Sequence, residues 1–369
     1  MNKVFITGGA GYVGAVMVPH LLKQGFEVTV LDLMIYGEHV LPKHDNLNAV
    51  KGDIRDQDLL RELIPGHDVV IHLACISNDP SFEMNPDLGK SINLDAFRPL
   101  VEISKNSNVK RFFYASSSSV YGIKEEPNVH EEMELEPLTD YSIFKADCEK
   151  ILAEYQSDDF TTTTIRPATV CGYSPRQRLD VVVNILTNLA YHKREISIFG
   201  GDQLRPNIHI KDMVEVYMVL LRAPKEKIAG KIYNAGYENH SVKDIAETVK
   251  NAVGDDVKLI TSHSDDNRSY HVSSKKIQNE LGFVAKHTIH DAVIDLCEAF
   301  DQNLLPNSLD NRQRIPDLTE TVRVYGPDTY FLSFQVLFFY NNPHVASNDS
   351  PFQSWLLTTP SQECLANIF

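Results

Sequence analysis

The chain has 369 residues, enough for one large or two modest domains, and its 43% hydrophobic and 23% charged residues are those of an ordinary globular protein. A net charge of −15 argues against a nucleic-acid groove or an anionic membrane surface as the main partner, although a local basic pocket can still hold an anionic nucleotide. Five widely spaced Cys with no Cys-x-x-Cys pair, and an N-terminus that runs straight into a strand without a signal-peptide pattern, fit a reducing, cytoplasmic setting.

Residues 2–7 are a short apolar run with β-branched members, which reads as a buried strand. Gly8-Gly9-Ala10-Gly11 follows as a turn, and a helical pattern opens at Tyr12, Val13 and Gly14. A strand-to-helix junction of this kind aims free backbone N–H groups and the positive end of a helix dipole at a phosphate. Gly8 permits the tight turn, Gly11 lets a pyrophosphate approach the backbone, and Gly14 lets the helix pack close to the strand. Residues 27–31 form a second strand. Asp32 stands at its end, about twenty residues on, where a carboxylate accepts from adenosine ribose hydroxyls. No Arg or Lys lies between Leu33 and Gly37 to hold a 2′-phosphate, which favours NAD over NADP. A glycine-rich turn alone carries little; the strand, helix and acid around it carry the inference.

Residues 47–52 form a third strand ending at Asp53 and Ile54, a pair placed either to hold and cover the adenine or to cap a helix over residues 56–64. A fourth strand spans residues 68–74, and its end at Leu73 and Ala74 points into the crevice where ligands bind in open α/β sheets. The loop at residues 75–80, with Ser77, then lies near the reactive end of the cofactor. A single helix is expected over residues 86–104, carrying Asn93, and a fifth strand over residues 110–115. This alternation predicts an α/β protein with a Rossmann-type, doubly wound parallel sheet.

The fifth strand runs into Ser116-Ser117-Ser118-Ser119-Val120-Tyr121-Gly122. Some twenty residues on, Thr139 or Asp140 is suited to cap a helix on which Tyr141 and Lys145 share a face. The Lys ammonium favours phenolate and so lowers the Tyr pKa. Such a Tyr exchanges a proton with a substrate hydroxyl near neutral pH, and a Ser at the end of a strand holds the same oxygen. Singly, each of these residues is common; with a dinucleotide beside them they form a set that moves a hydride and a proton at one carbinol carbon.

Together these motifs resemble the extended short-chain dehydrogenase/reductase family, in its branch of nucleotide-sugar epimerases and dehydratases. The resemblance covers about residues 1–305 and includes His72-Leu73-Ala74, Asn93, Val120-Tyr121-Gly122, Tyr141-x-x-x-Lys145 and Arg166-Pro167. It implies catalytic roles for Ser117, Tyr141 and Lys145, with Ser118 as a second hydroxyl and Lys145 on the nicotinamide ribose. It implies NAD contacts at Gly8, Gly11, Tyr12, Val13, Gly14, Asp32, Asp53, Ile54, Leu73, Ala74, Asn93, Tyr141, Lys145 and Pro167, and a homodimer paired through helices at residues 86–104 and 140–156. The family's 4,6-dehydratases carry an acidic residue, often Asp-Glu, after the catalytic hydroxyl. Ser118 and Ser119 stand there, and a hydroxyl is a poor general acid or base near neutral pH. The expectation is therefore a 4-epimerase or 4-dehydrogenase, with a 4,6-dehydratase (drawing an acid from Glu125, Glu126 or Glu131), a keto-sugar reductase and a non-catalytic NAD sensor as alternatives.

The division expected is a cofactor domain over residues 1–172, a smaller α/β substrate lobe over 173–307 that returns some chain to the first, and an atypical tail over 308–369. In the second lobe Arg176, Arg178 and Asn184 suit a diphosphate, since a guanidinium binds phosphate in a bidentate way. Arg205 and Arg268 match the family's diphosphate-binding Arg positions, though Pro206 stands where the family usually has Asp. The segment 173–180, with Arg205 and Asn207, also looks like enzymes acting on nucleotide-linked heptoses or hexoses. No His, Cys or carboxylate cluster has metal-ligand spacing. The tail has an apolar run at residues 331–340, too short to span a bilayer, which needs ~20 residues.

Overall fold

The computed structural model describes residues 2–77, 85–124, 126, 128–262 and 271–309. Arg268, Glu125, Cys364, the loop beyond Ser77 and the apolar run at 331–340 lie outside the described residues.

Seven parallel strands form the main sheet. In chain order they are β1 (Lys3–Thr7), β2 (Glu27–Asp32), β3 (Leu47–Lys51), β4 (Val69–His72), β5 (Arg111–Ala115), β6 (Thr161–Pro167) and, after an excursion, β10 (Lys231–Ala235). Their spatial order is β10-β6-β5-β4-β1-β2-β3. The inner strands are buried on both faces, so β4 and β5 read as continuous apolar runs without alternation. β6 is the exception in composition, since Thr161, Thr162, Thr163 and Thr164 are all buried. Their branched Cβ suits a strand, and their hydroxyls are absorbed locally: Thr163 Oγ1 donates to the Ile228 carbonyl at 2.8 Å and Thr162 Oγ1 to Gln156 at 3.1 Å.

Helices cover both faces. On one side α1 (Gly14–Lys23) and α7 (Ile210–Arg222) close a core with Val4, Ile6 and Ile71. On the other, α2 (Gln57–Leu63), α4 (Phe97–Asn106) and α5 (Asp140–Tyr155) close a core around Phe5, Phe97 and Phe112. Strand order reverses at β1, with β2 to one side and β4 to the other, which creates the crevice expected of a doubly wound sheet at the carboxyl ends of these strands.

The single helix expected over residues 86–104 is broken. A short helix α3 (Pro86–Lys90) passes into one wide π turn (Ser91–Asp95) before α4. Within that turn Asn93 Oδ1 accepts from the Ile76 N–H at 2.8 Å and its Nδ2 donates to the Ile76 carbonyl at 3.0 Å. The widened turn also leaves the Asn93 carbonyl to accept from the Cys148 thiol on α5.

Beyond the main sheet the chain forms β7 (Thr169–Cys171), α6 (Val182–Lys193), β8 (Glu195–Phe199), β9 (Leu204–His209), β11 (Glu238–Ser241), α8 (Val242–Val253), β12 (Lys258–Ser262), a short helix α9 (Lys275–Leu281) that returns to the first core, and α10 (Ile289–Asp301). β11-β9-β7 form one small sheet and β12-β8 another. α6, α8 and α10 bury a separate core of Val183, Leu186, Ile196, Ile245 and Val293.

Candidate active site

The glycine turn closes on neighbouring backbone. Gly8 has φ +75°, and a Cβ there would lie 2.5 Å from the Ala74 nitrogen; one at Gly14 would lie 2.4 Å from the Gly9 oxygen. No side chain fits either position, and the turn stays bare enough for a phosphate to reach its N–H groups. Asp32 is fixed by the same turn: Oδ2 accepts from Ala10 N–H at 2.9 Å and Oδ1 from Met34 N–H at 2.8 Å. Burial raises the Asp32 pKa, opposed by those two hydrogen bonds and by the charge of Arg176.

Tyr12 leaves the turn for the second lobe. Its hydroxyl donates to the Gly172 carbonyl at 2.6 Å, and its carbonyl accepts from Ser174 Oγ at 2.7 Å. Asn184, expected on a diphosphate, is fully buried instead. Its Oδ1 accepts from Gly172 N–H, and its Nδ2 donates to Tyr12 Oη and the Arg178 carbonyl. Its amide is therefore spent on joining the lobes.

At the carboxyl end of β5 the chain turns through a single 3-10 turn (Ser118–Tyr121) that Ser117 caps, accepting from Ser119 N–H at 3.1 Å. α5 begins with a capping box in which Thr139 and Ser142 satisfy each other's N–H groups. Tyr141 and Lys145 then lie one turn apart beneath Ser117. Ser117 lies near enough to lower the Tyr141 pKa, and Lys145 Nζ lies 5.8 Å from the Tyr141 ring centroid. Lys145 Nζ donates to the Ala115 carbonyl at 2.6 Å, which ties the helix to the end of β5.

The expected lowering of the Tyr141 pKa needs correction. Burial raises it, and this outweighs the lowering by Lys145, Arg178 and Ser117. Lys145 keeps its charge: burial opposes it, but Cys75, Tyr141 and Cys148 together push its pKa up. His72, stacked on Tyr114 and 2.7 Å from Thr7 Oγ1, is driven down to about 3, first by burial and then by Lys145.

The other expected site residues are placed as follows. Ser119 Oγ donates to Ser117 Oγ at 2.8 Å, and Ser118, expected as the second hydroxyl, is 3% exposed. Asn93 bonds the Ile76 backbone and so positions the loop carrying Cys75 and Ser77. The Asp53 carboxylate is gripped by Arg55 through contacts of 2.8–3.0 Å, Ile54 packs into the core, and the cap of α2 is Asp56. Arg178 is held in a two-point pair by Asp180 and is a charge neighbour of Tyr141 and Cys75. Arg176 stacks on Tyr36, its Cζ 3.6 Å from the ring centroid. Leu73 and Ala74 border the glycine turn, Val13 packs behind it, Pro167 ends β6 opposite Ala235, and Arg205 is half-buried on β9 opposite His240. Among the described residues, no three His, Cys, Asp or Glu gather as a metal site. Nor is any described helix long and apolar enough to cross a membrane.

Residues 4–236 match the model of the NAD dependent epimerase/dehydratase family, well over half the chain. The chain belongs to that family. Within it, the chain is 26% identical over 325 residues to a dTDP-glucose 4,6-dehydratase of Streptomyces niveus, covering 82% of this chain and 93% of the relative. It is 27% identical over 315 residues to a UDP-glucose 4-epimerase of Lactobacillus helveticus, covering 79% and 94%. Among solved structures, a UDP-glucuronic acid 4-epimerase of Bacillus cereus in complex with UDP-glucuronic acid and NAD matches with a TM-score of 0.73 at 25% identity, over 82% of this chain and 99% of that one. A dTDP-glucose 4,6-dehydratase of Streptomyces venezuelae with NAD bound shares the fold, with a TM-score of 0.74 at 22% identity, over 82% and 97%. As a member of the family the chain is an NAD-dependent enzyme. Its bare glycine turn and the ordered Asp32 carboxylate fit that cofactor.

Proposed function

We propose that the protein oxidises and re-reduces the C4 hydroxyl of a nucleotide-linked sugar, as a 4-epimerase or 4-dehydrogenase, and works as a homodimer. The observation that carries this reading is Lys145 placed beside Tyr141, its Nζ 5.8 Å from the ring centroid and anchored to the last carbonyl of β5. NAD, when bound, supplies the hydride acceptor and donor. Tyr141 takes the hydroxyl proton and later returns it. Ser117, which receives a hydrogen bond from Ser119, keeps its own proton to donate to the reacting oxygen. Lys145 holds a positive charge beneath the phenol and favours its ionised form against the pull of burial.

Dehydration asks for an acid and a base near C5 and C6. Of the carboxylates considered for that task, Glu131 accepts from Asn234 N–H at 2.7 Å in a buried network. Glu126 is exposed. Ser118 and Ser119 supply neither role. The test is incubation of the purified protein with UDP- and dTDP-hexoses, followed by separation of products and by absorbance near the NADH band. Epimer formation with no net NADH supports epimerisation, and NADH accumulation supports dehydrogenation. A 4-keto-6-deoxy product overturns the reading in favour of dehydration.

A further inference from the structure

Arg176 comes from the second lobe, three residues after Tyr173, yet it does not end among the groups that serve the sugar side. Its guanidinium lies over the ring of Tyr36, in the segment that follows β2, and its charge lowers the Asp32 pKa. Asp32 marks the adenosine end of the dinucleotide crevice. Each Asp32 oxygen already accepts one backbone N–H and so keeps a lone pair for a ribose hydroxyl. Arg176 Nη1 donates to the Gln177 carbonyl at 3.0 Å, while Nε is sealed from solvent and has no hydrogen-bond partner. A buried cationic donor left unpaired is costly and calls for an acceptor.

The geometry points to Arg176 as a second-lobe clamp on the adenosine half of the cofactor, donating to ribose oxygens whose hydroxyls Asp32 accepts. The ribose is the ligand chemistry that suits this place, because its hydroxyls both donate to a carboxylate and accept from a guanidinium. A 2′-phosphate would also accept from Arg176, but it would set a dianion against the Asp32 carboxylate. The assignment is therefore to the unphosphorylated ribose of NAD. The clamp also adds to the Tyr12 joint. With Tyr12 bound to Gly172 and Asn184, the second lobe would grip both the pyrophosphate turn and the adenosine end. This inference rests on the dinucleotide site and not on which reaction is performed there.

The test is calorimetric titration of the full-length chain, stripped of cofactor, with NAD, NADP, ADP-ribose, UDP and dTDP. Arg176→Ala is expected to weaken NAD and ADP-ribose by about tenfold or more, the loss of one charge-assisted hydrogen bond, with UDP and dTDP within about twofold. Arg176→Gln keeps a flat polar end against Tyr36 and carries the same test should the Ala variant lose its fold by circular dichroism. Unchanged NAD affinity in either folded variant overturns the inference. So does a loss confined to UDP and dTDP, which would return Arg176 to the substrate diphosphate, or a loss confined to NADP. Failure of the unaltered chain to bind NAD would instead sink the dinucleotide site itself, a separate outcome.

Discussion

Tyr12 in the glycine turn and Asn184 in the first turn of α6 meet through a 3.0 Å hydrogen bond that crosses between the lobes. Both are buried, and the same Tyr12 hydroxyl donates to Gly172, so neither group has water as a fallback. Tyr12→Phe is expected to cost about 1–3 kcal/mol in urea unfolding, because Asn184 loses an acceptor and Gly172 a donor. Asn184→Ala is expected to cost a similar amount, about 1–3 kcal/mol. The two losses should be non-additive by about 0.5 kcal/mol or more, and strict additivity would show that the joint is not one unit.

Tyr141→Phe removes the only proton-transfer atom at its position while keeping the ring that packs against the core around Phe5, Phe97 and Phe112. Turnover on a nucleotide-sugar is expected to fall about 10²–10⁴-fold, with NAD affinity within about threefold of the unaltered chain. Ser117→Ala should fall less. Turnover surviving intact in the Phe variant would rule out Tyr141 as the acid/base.

His72 makes stability depend on pH. Its folded pKa is about 3 against 6.5 when free, so between those values the unfolded chain binds a proton that the folded one refuses. The stabilisation is fully present above pH 6.5 and is lost as the pH falls toward 3, at up to about 1.4 kcal/mol per pH unit for this one group. His72→Gln, which can still bond Thr7, should flatten the fall in stability by that amount. Urea titrations at pH 4.5, 5.5 and 6.5 read it directly, and an unchanged slope would refute it.

Glu149 and Arg166 form a buried pair at 2.7 Å, 5% and 3% exposed. Ser116 and Tyr121 bond into the same cluster, and Tyr121 passes it on to Asn234 at 2.7 Å. Glu149→Ala strands the guanidinium and is expected to destabilise the chain by about 3–5 kcal/mol. A loss below about 1 kcal/mol would mean that the cluster relaxes or hydrates when broken.

Asn93→Ala removes both bonds to Ile76 and should cost about 1–3 kcal/mol. The loop bearing Cys75 and Ser77 then loses its tether, so the KM for substrate should rise more than the KM for NAD. Equal effects on both would place Asn93 on the cofactor after all.

What was legible in the sequence was whatever short-range spacing enforces. The glycine turn with Asp32 and the Tyr141/Lys145 pair announce themselves because a turn and a helical face fix their geometry locally. The doubly wound sheet followed from the alternation of apolar runs and helical stretches. Residues whose partners lie far along the chain were not legible. Arg176 and Asn184 looked like phosphate ligands, yet their ends are decided by Tyr36 and Tyr12, some 140 and 172 residues away, about which spacing carries no signal. Ser118 was preferred to Ser119 because the tight 3-10 turn, which turns one in and the other toward Ser117, is invisible in a run of four identical residues. The π turn at Asn93 was hidden too, since the partner of the Asn93 amide is Ile76 in the preceding loop.

The contact between Gly8 and the Ala74 backbone also bears on how this protein could change over generations. Because the end of one strand occupies the space beside the turn of another, the turn is closed to sequence drift whatever cofactor is in demand. A lineage seeking a different dinucleotide would have to experiment at the rim, around Asp32 and Tyr36, where side chains rather than main chains meet. Selection for new cofactor use should therefore leave its record in the loop after the second strand and in the lobe that reaches over it, while the turn that opens the chain stays silent.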